Sequence, residues 1–471
     1  MKKSFFFALI VFQFITAQTA GSLKSKIDYL IAEKLSASSQ VAIDIYDLTD
    51  KEILYRKNHE LLFRPASNMK LFTTATALVF LGTEYKVATN VYHNGFIRDS
   101  VCYGDIIIVG ACDPLFTDKH LDTLVSQIKS SGIKKITGNL IGDISCLDSL
   151  YWGSGWMWDD NPYPFSPYLT PLVVNESSIK IEFKPGPVGY PVEIKFNPEI
   201  KNYFNIANSS LTVKEDSNTI EISRDWINNN NNIIINGKLK ANSTADTVQL
   251  NLIHPENFFL NLFKQKLQEQ EVELAGKIEV GKLQKEISKI AFIETGLNDI
   301  ILKTNKDSHN LSAEMILRIM GAECFEKPAS AKKGIKLIDS LVASIPMDPK
   351  NYKLVDGSGL SFYNLVSAEL ITELLKYIYS EKQEIFKLFY ESLPVAGIDG
   401  TLEKRMTNSA VFNNVRAKTG TLSGVSCLSG YLTTSNNHLI AFSIMNQNYV
   451  GSSKKTRTFQ DKLCKILVKE K

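Results

Sequence analysis

A long tract of short β-like runs interrupts a chain of different texture, and this interruption constrains the fold more than any other feature. Between residues 86 and 289 the runs KVATNVYHNGF, DIIIVG, KITGNLIGD, SIKIEFKPG, VEIKF and NIIINGKLK are separated by Pro, Gly and Asn. Asn228 to Asn232 is a five-asparagine run, expected to be a flexible turn. Before the tract, Ser22 to Leu35 has helical texture, and VAIDIYDLTDKEILYRKN from Val41 reads as strand, turn and strand. After it come helical NLSAEMILRIM and VSAELITELLKYIY, then KTGTLSGVSCLSGYLTT and HLIAFSIMNQ as two β-like runs. A last helix carries Phe459, Leu463, Ile466 and Leu467 on one face, which suits packing on a sheet better than peripheral contact with a membrane. The expectation is an α+β domain from 18–85 and 290–471, interrupted by a β-rich insertion over 86–289.

Composition narrows the function. The 471 residues are 44% hydrophobic and 22% charged, with a formal net charge of +3. Neither a nucleic-acid footprint nor a polybasic membrane patch is present. Residues 1–17 read as a secretory signal: Lys2 and Lys3, an apolar stretch from Phe5 to Ile15 too short to span a bilayer, and Ala17 before the cleavage point at Gln18. The mature protein is expected to be exported, to a periplasm. Cys102, Cys112 and Cys146 fall in one region and allow one disulfide, while burial as small apolar side chains suits most of the six cysteines. The histidines are scattered and no H-E-x-x-H occurs, so no metal or cofactor is expected.

Three short fragments carry chemistry. In RPASNMKLFTTATALVFL, Ser67 and Lys70 open a helix whose Leu71, Phe72, Ala75, Leu78 and Val79 repeat with core spacing, and Pro65 suits the entrance. Ser-x-x-Lys also occurs at Ser131, Ser177, Ser330 and Ser452, so the spacing alone decides nothing. Ser308 and Asn310 stand one residue apart in DSHNLSAEM, where either suits a helix N-cap. Lys418, Thr419, Gly420 and Thr421 lie in the β-like RAKTGTLSG, where a lysine on an edge strand before a turn glycine would suffice.

Taken in order, the three fragments form the Ser-x-x-Lys, Ser-x-Asn, Lys-Thr-Gly signature of penicillin-binding proteins and β-lactamases. LVDGSGLSFYNLVSAE, LPVAGIDGTLEKRM, IVGACDPLF and GWMWDDNPYPFSPYLTPLVVNESSI extend the match. The chain resembles the D-alanyl-D-alanine carboxypeptidase/endopeptidase family, the low-molecular-mass class C penicillin-binding proteins of peptidase S13 type, over nearly its whole mature length. The resemblance implies a transpeptidase-like antiparallel sheet flanked by helices, peptidoglycan stem peptides as substrate and β-lactams as covalent inhibitors. It implies Ser67 as nucleophile and Lys70 as its base, kept neutral by burial and by the like charge of Lys418. Ser308 and Asn310 would relay a proton and hold the peptide. Lys418, Thr419 and Thr421 would receive the terminal carboxylate, Gly420 would keep the strand open beside the serine, and the amides of Ser67 and Thr421 would form the oxyanion hole.

One residue departs from the pattern. His309 stands where the family usually has aspartate, and its side chain is expected to point away from the pocket. Two alternatives share parts of the signature. A serine β-lactamase needs a base for deacylating water, for which no segment offers itself. A silent cell-wall binding protein would have no use for Lys70. A Ser-His-Asp hydrolase lacks its G-x-S-x-G elbow.

Overall fold

The computed structural model describes residues 22–283, 287–407 and 410–469; the expected signal segment lies outside them. Five antiparallel strands form one sheet, in the order Glu52–Lys57, Gln40–Asp47, Leu439–Gln447, Val425–Thr433 and Arg416–Leu422. Period-2 alternation explains how both faces are buried. Val41, Ile43, Leu428, Leu432, Phe442 and Ile444 meet the helices Leu23–Lys34 and Lys454–Lys469. Ala42, Tyr431, Ala441 and Met445 instead face Phe72, Met315 and Ile371, from the helices Met69–Leu81, Asn310–Cys324 and Ala368–Glu381. The last helix therefore spends its apolar face on the sheet, as the sequence suggests. No helix among the described residues is long and apolar enough to cross a membrane.

Two local readings are corrected here. The run KTGTLSGVSCLSGYLTT is not one strand: it folds back at Ser423-Gly424, with Leu422 paired to Val425. Gly424, at φ +67°, takes the left-handed position of this turn, which glycine adopts without strain. The asparagine run is not loose either. Asn228 and Asn230 donate to Asp225, the Asn230 carbonyl accepts from the buried Arg224 guanidinium at 3.0 Å, and Asn231 donates to the Ile253 carbonyl.

The interrupting region builds several small sheets around a core of its own. Its largest sheet orders Ile278–Gly281, Leu140–Asp143, Ile106–Val109, Lys86–His93 and Ser288–Gly296, so its closing strand extends past residue 289. Two helices unmarked in the sequence reading, Asp118–Ser130 and Pro255–Glu269, make the parallel crossovers this sheet requires. Their Leu121, Leu124, Val125, Phe259 and Phe263 are buried with helical spacing. The α+β architecture, an antiparallel sheet flanked by helices with a large β-rich insertion, is the one expected. All six cysteines are thiols; Cys112 and Cys146 lie side by side with their sulfurs 4.0 Å apart, unbonded.

Candidate active site

The turn that carries Ser67 is tighter than the expected helix start. Ala66–Asn68 form one 3-10 turn before the α-helix Met69–Leu81, and Ala66 is left-handed at φ +46°. A non-glycine residue in that region is strained, and two glycines make room for it. A Cβ on Gly359, itself at φ +80°, would stand 1.8 Å from the Ala66 carbonyl oxygen. A Cβ on Gly420 would stand 2.7 Å from the Pro65 carbonyl oxygen and 3.1 Å from the Ser67 amide nitrogen. Gly359→Ala should therefore lower stability by about 2–3 kcal/mol and slow any acylation of Ser67 at least tenfold. A thermal melt and a labelling time course would check both.

Lys70 is fully buried one turn further on. Its Nζ lies 2.9 Å from Ser67 Oγ, 2.6 Å from Asn310 Oδ1 and 2.6 Å from the Ser358 carbonyl oxygen. A neutral amine fits this set: two N–H groups for the amide and carbonyl oxygens, and a lone pair for the serine hydroxyl. Burial brings Lys70 down to about 7, against the opposing charges of Asp356 and Glu314. The like charge expected from Lys418 is not among the causes. It acts the other way, on Lys418, which burial and then Lys70 push well below the ordinary lysine range.

Lys418, also fully buried, donates to Ser308 Oγ at 2.8 Å and to the Thr419 carbonyl at 2.9 Å. Each side chain of the Ser-x-Asn pair thus holds one lysine. Thr419 meets Thr401, hydroxyl to hydroxyl at 2.7 Å, and Thr421 lines the mouth of the cleft. The structure brings Ser67, Lys70, Ser308, Asn310, Lys418, Thr419, Gly420 and Thr421 to one place, from positions up to 354 residues apart.

Other residues of the site lie in segments that extend the family match but are assigned no role from sequence. A cleft of about 560 Å³ is lined by Ser67, Ser308, Asn310 and Thr421, and by Met157, Asp159, Asp160 and Phe165 from the insertion. Trp156 anchors that insertion segment by donating to Asp356 Oδ2 at 2.9 Å, and the Phe165 carbonyl accepts from Asn310 Nδ2 at 2.7 Å. Asp356 also accepts from the Gly359 and Ser361 amides. Glu314 accepts from the Gly357 and Ser358 amides and pairs with Arg318 at 2.8 Å. These two acids fix the loop whose Ser358 carbonyl meets Lys70. A second compartment of about 370 Å³, on the far side of Ser67, is walled by Thr401, Thr419, Arg405 and Arg457. Two clusters with metal-ligand spacing, Asp47/Asp50/His438 and His59/Glu60/Glu369, do not line the cleft.

His309 points away from the cleft. Its Nδ1 lies 2.7 Å from Ser312 Oγ and accepts from the Ser312 amide at 3.4 Å, so the side chain caps the helix Asn310–Cys324.

The sequence model of the D-Ala-D-Ala carboxypeptidase 3 (S13) family matches residues 23–469. The chain belongs to that family. Within it, this S13 chain is 28% identical over 445 residues to an Actinomadura D-alanyl-D-alanine carboxypeptidase, covering 91% of this chain and 81% of that one. It is 26% identical over 420 residues to the D-alanyl-D-alanine carboxypeptidase DacB of Haemophilus influenzae, covering 88% and 86%. Penicillin-binding protein 4 of Haemophilus influenzae has the same fold as this S13 chain, with a TM-score of 0.84, 24% identity, and 94% and 99% of the two chains covered. That protein is also known in complex with a β-lactam, where the TM-score is 0.77.

Proposed function

We propose that this chain is an exported serine D-Ala-D-Ala carboxypeptidase and endopeptidase, which cuts peptidoglycan stem peptides through an acyl-enzyme on Ser67. The observation that carries the reading is Lys70, buried, titrating at about 7 and 2.9 Å from the Ser67 hydroxyl. Lys70 takes the serine proton as Oγ attacks the D-Ala carbonyl, and Ser308 with Lys418 returns a proton to the leaving amine. The amides of Ser67 and Thr421 receive the oxyanion. Water then releases the trimmed peptide and restores the hydroxyl.

The walls of the cleft suit such a peptide. Arg416–Leu422 is an edge strand, and the 394–396 segment covers only its start, so an extended substrate can pair along Lys418 to Leu422. On the side walled by Thr419 and Thr401 stand Arg457 and Arg405, the latter held by Asp461, and the terminal carboxylate is assigned to this compartment. Opposite, a buried Asp160 carboxylate oxygen has no hydrogen-bond partner among the described residues, which favours a stem-peptide side chain ending in a cation. The relative known with a bound β-lactam supports β-lactams as inhibitors. Export rests on the sequence of residues 1–17.

Intact-mass measurement of the mature protein with benzylpenicillin, followed by peptide mapping, tests this. The expected result is a lasting adduct on Ser67 and release of D-Ala from a stem pentapeptide. Rapid penicillin hydrolysis without an adduct would make the protein a β-lactamase, and neither adduct nor turnover would make it a binding protein.

A further inference from the structure

Ser308 sits in left-handed backbone at φ +58°, a conformation that a residue with a side chain keeps only when its surroundings impose it. The surroundings include one residue of the insertion, Glu176. Its Oε2 lies 3.6 Å from His309 Nε2, an ion-pair separation rather than a hydrogen bond, and its Oε1 lies 3.3 Å from Lys303 Nζ. Lys303 in turn pairs with Asp307 at 3.0 Å. Glu176 therefore reaches both flanks of Ser308, His309 directly and Asp307 through the lysine.

The two ring nitrogens of His309 have different partners. Nδ1 is taken up by Ser312, and Nε2 faces the glutamate. His309 and Lys303 hold the Glu176 carboxyl down at about 2, so it is ionised throughout the neutral range. An aspartate at this position would cap the helix and bring its own charge. Histidine supplies only the cap, and Glu176 restores the charge from another domain.

Glu176 is itself displayed by unusual backbone. Asn175, Glu176 and Ser177 are all left-handed, at φ +47°, +61° and +53°. Asn175 is tied through its amide to the Phe116 carbonyl, through its side chain to the Asp118 amide and through its carbonyl to the Ser178 hydroxyl. The Ser177 carbonyl accepts from the Leu252 amide. Three consecutive residues in this region are held by the insertion's fold, and the outcome is a carboxylate aimed at the neighbouring domain.

We propose that Glu176 and His309 form a clamp through which the insertion positions Ser308 and Asn310. This rests on the reading of Ser308 and Asn310 as parts of the catalytic machinery. Both clamp residues are positioning residues, since neither lines the cleft.

The test uses the full mature chain and two readouts: the second-order rate of benzylpenicillin labelling, and hydrogen exchange of the amides from Lys303 to Glu314. Glu176→Gln and His309→Ala should each speed exchange around Ser308 and slow labelling about tenfold or more. His309→Asp should stay slow, because the new carboxylate faces Glu176, and the double variant His309→Asp with Glu176→Gln should recover to within about threefold of wild type. A purely structural defect would not be rescued by adding a second substitution. If His309→Ala fails to fold, Glu176→Gln, which changes a half-exposed side chain, decides alone. Unchanged exchange and labelling in Glu176→Gln, or a double variant no better than His309→Asp, would overturn the clamp. A wild type that takes no label would sink the catalytic reading, while the exchange data would still judge the clamp.

Discussion

Ser67→Ala protein should take no covalent label from benzylpenicillin and release no D-Ala from a stem pentapeptide. Among the described residues, the hydroxyl hydrogen-bonded to the Lys70 amine is that of Ser67, at 2.9 Å. The next hydroxyl in the cleft, Ser308 Oγ, is held by Lys418 at 2.8 Å instead. The substitution removes one hydrogen bond from a half-buried turn, so stability should change by no more than about 1 kcal/mol. Intact mass, peptide mapping and a thermal melt on the same sample give the answer. Labelling that persists, at Ser308 or elsewhere, would show that the nucleophile is misassigned.

Lys70→Met should slow labelling about a thousandfold, within the range a general base contributes, while Ser67 remains in place. The pH dependence carries more information than the size of the loss. In the wild type, the labelling rate should rise as pH passes about 7, where the buried amine loses its proton. That limb should be missing in the variant. Stability gives an independent check. The folded lysine titrates at about 7 and the unfolded one at its usual 10.5, so between these values the unfolded chain holds the extra proton. The wild type should therefore gain stability relative to Lys70→Met as pH rises across that window. A wild type whose advantage stays flat from 7 to 10.5 would show that Lys70 is charged in the folded protein, and hence not the base.

The fragments of the candidate site are legible because the chemistry proposed for them limits which residues can serve. A serine three residues from a lysine, a second serine beside an asparagine, and a lysine before Thr-Gly can be found as fragments, and the fold supplies the meeting. The alternation of Val41, Ile43 and Ile45, and of Ile440, Phe442 and Ile444, likewise gave strands that the sheet contains. What stayed hidden depends on contacts across long stretches of chain. Asp356 and Glu314 are assigned no role in sequence; Trp156 and two amides converge on the first, and the Ser358 amide and Arg318 on the second. Glu176 is an unremarked letter in VVNESSI, because nothing local says that His309 will lie beside it. The hairpin at Ser423-Gly424 was missed for a local reason: Leu-Ser-Gly-Val keeps a β-like texture through the turn.

The centre of the five-stranded sheet joins Gln40–Asp47 to Leu439–Gln447, nearly the whole length of the chain apart. During synthesis, the strand made first must wait for almost the last one before it has a neighbour on that side. The sheets of the insertion, by contrast, close entirely within residues 86–296 and can complete as soon as that stretch has emerged. The order of assembly is thus the reverse of the order of reading: the interrupting domain matures first and the interrupted one last. Until its final strands are made, the nascent chain presents the serine turn without the Lys-Thr-Gly strand that packs against it.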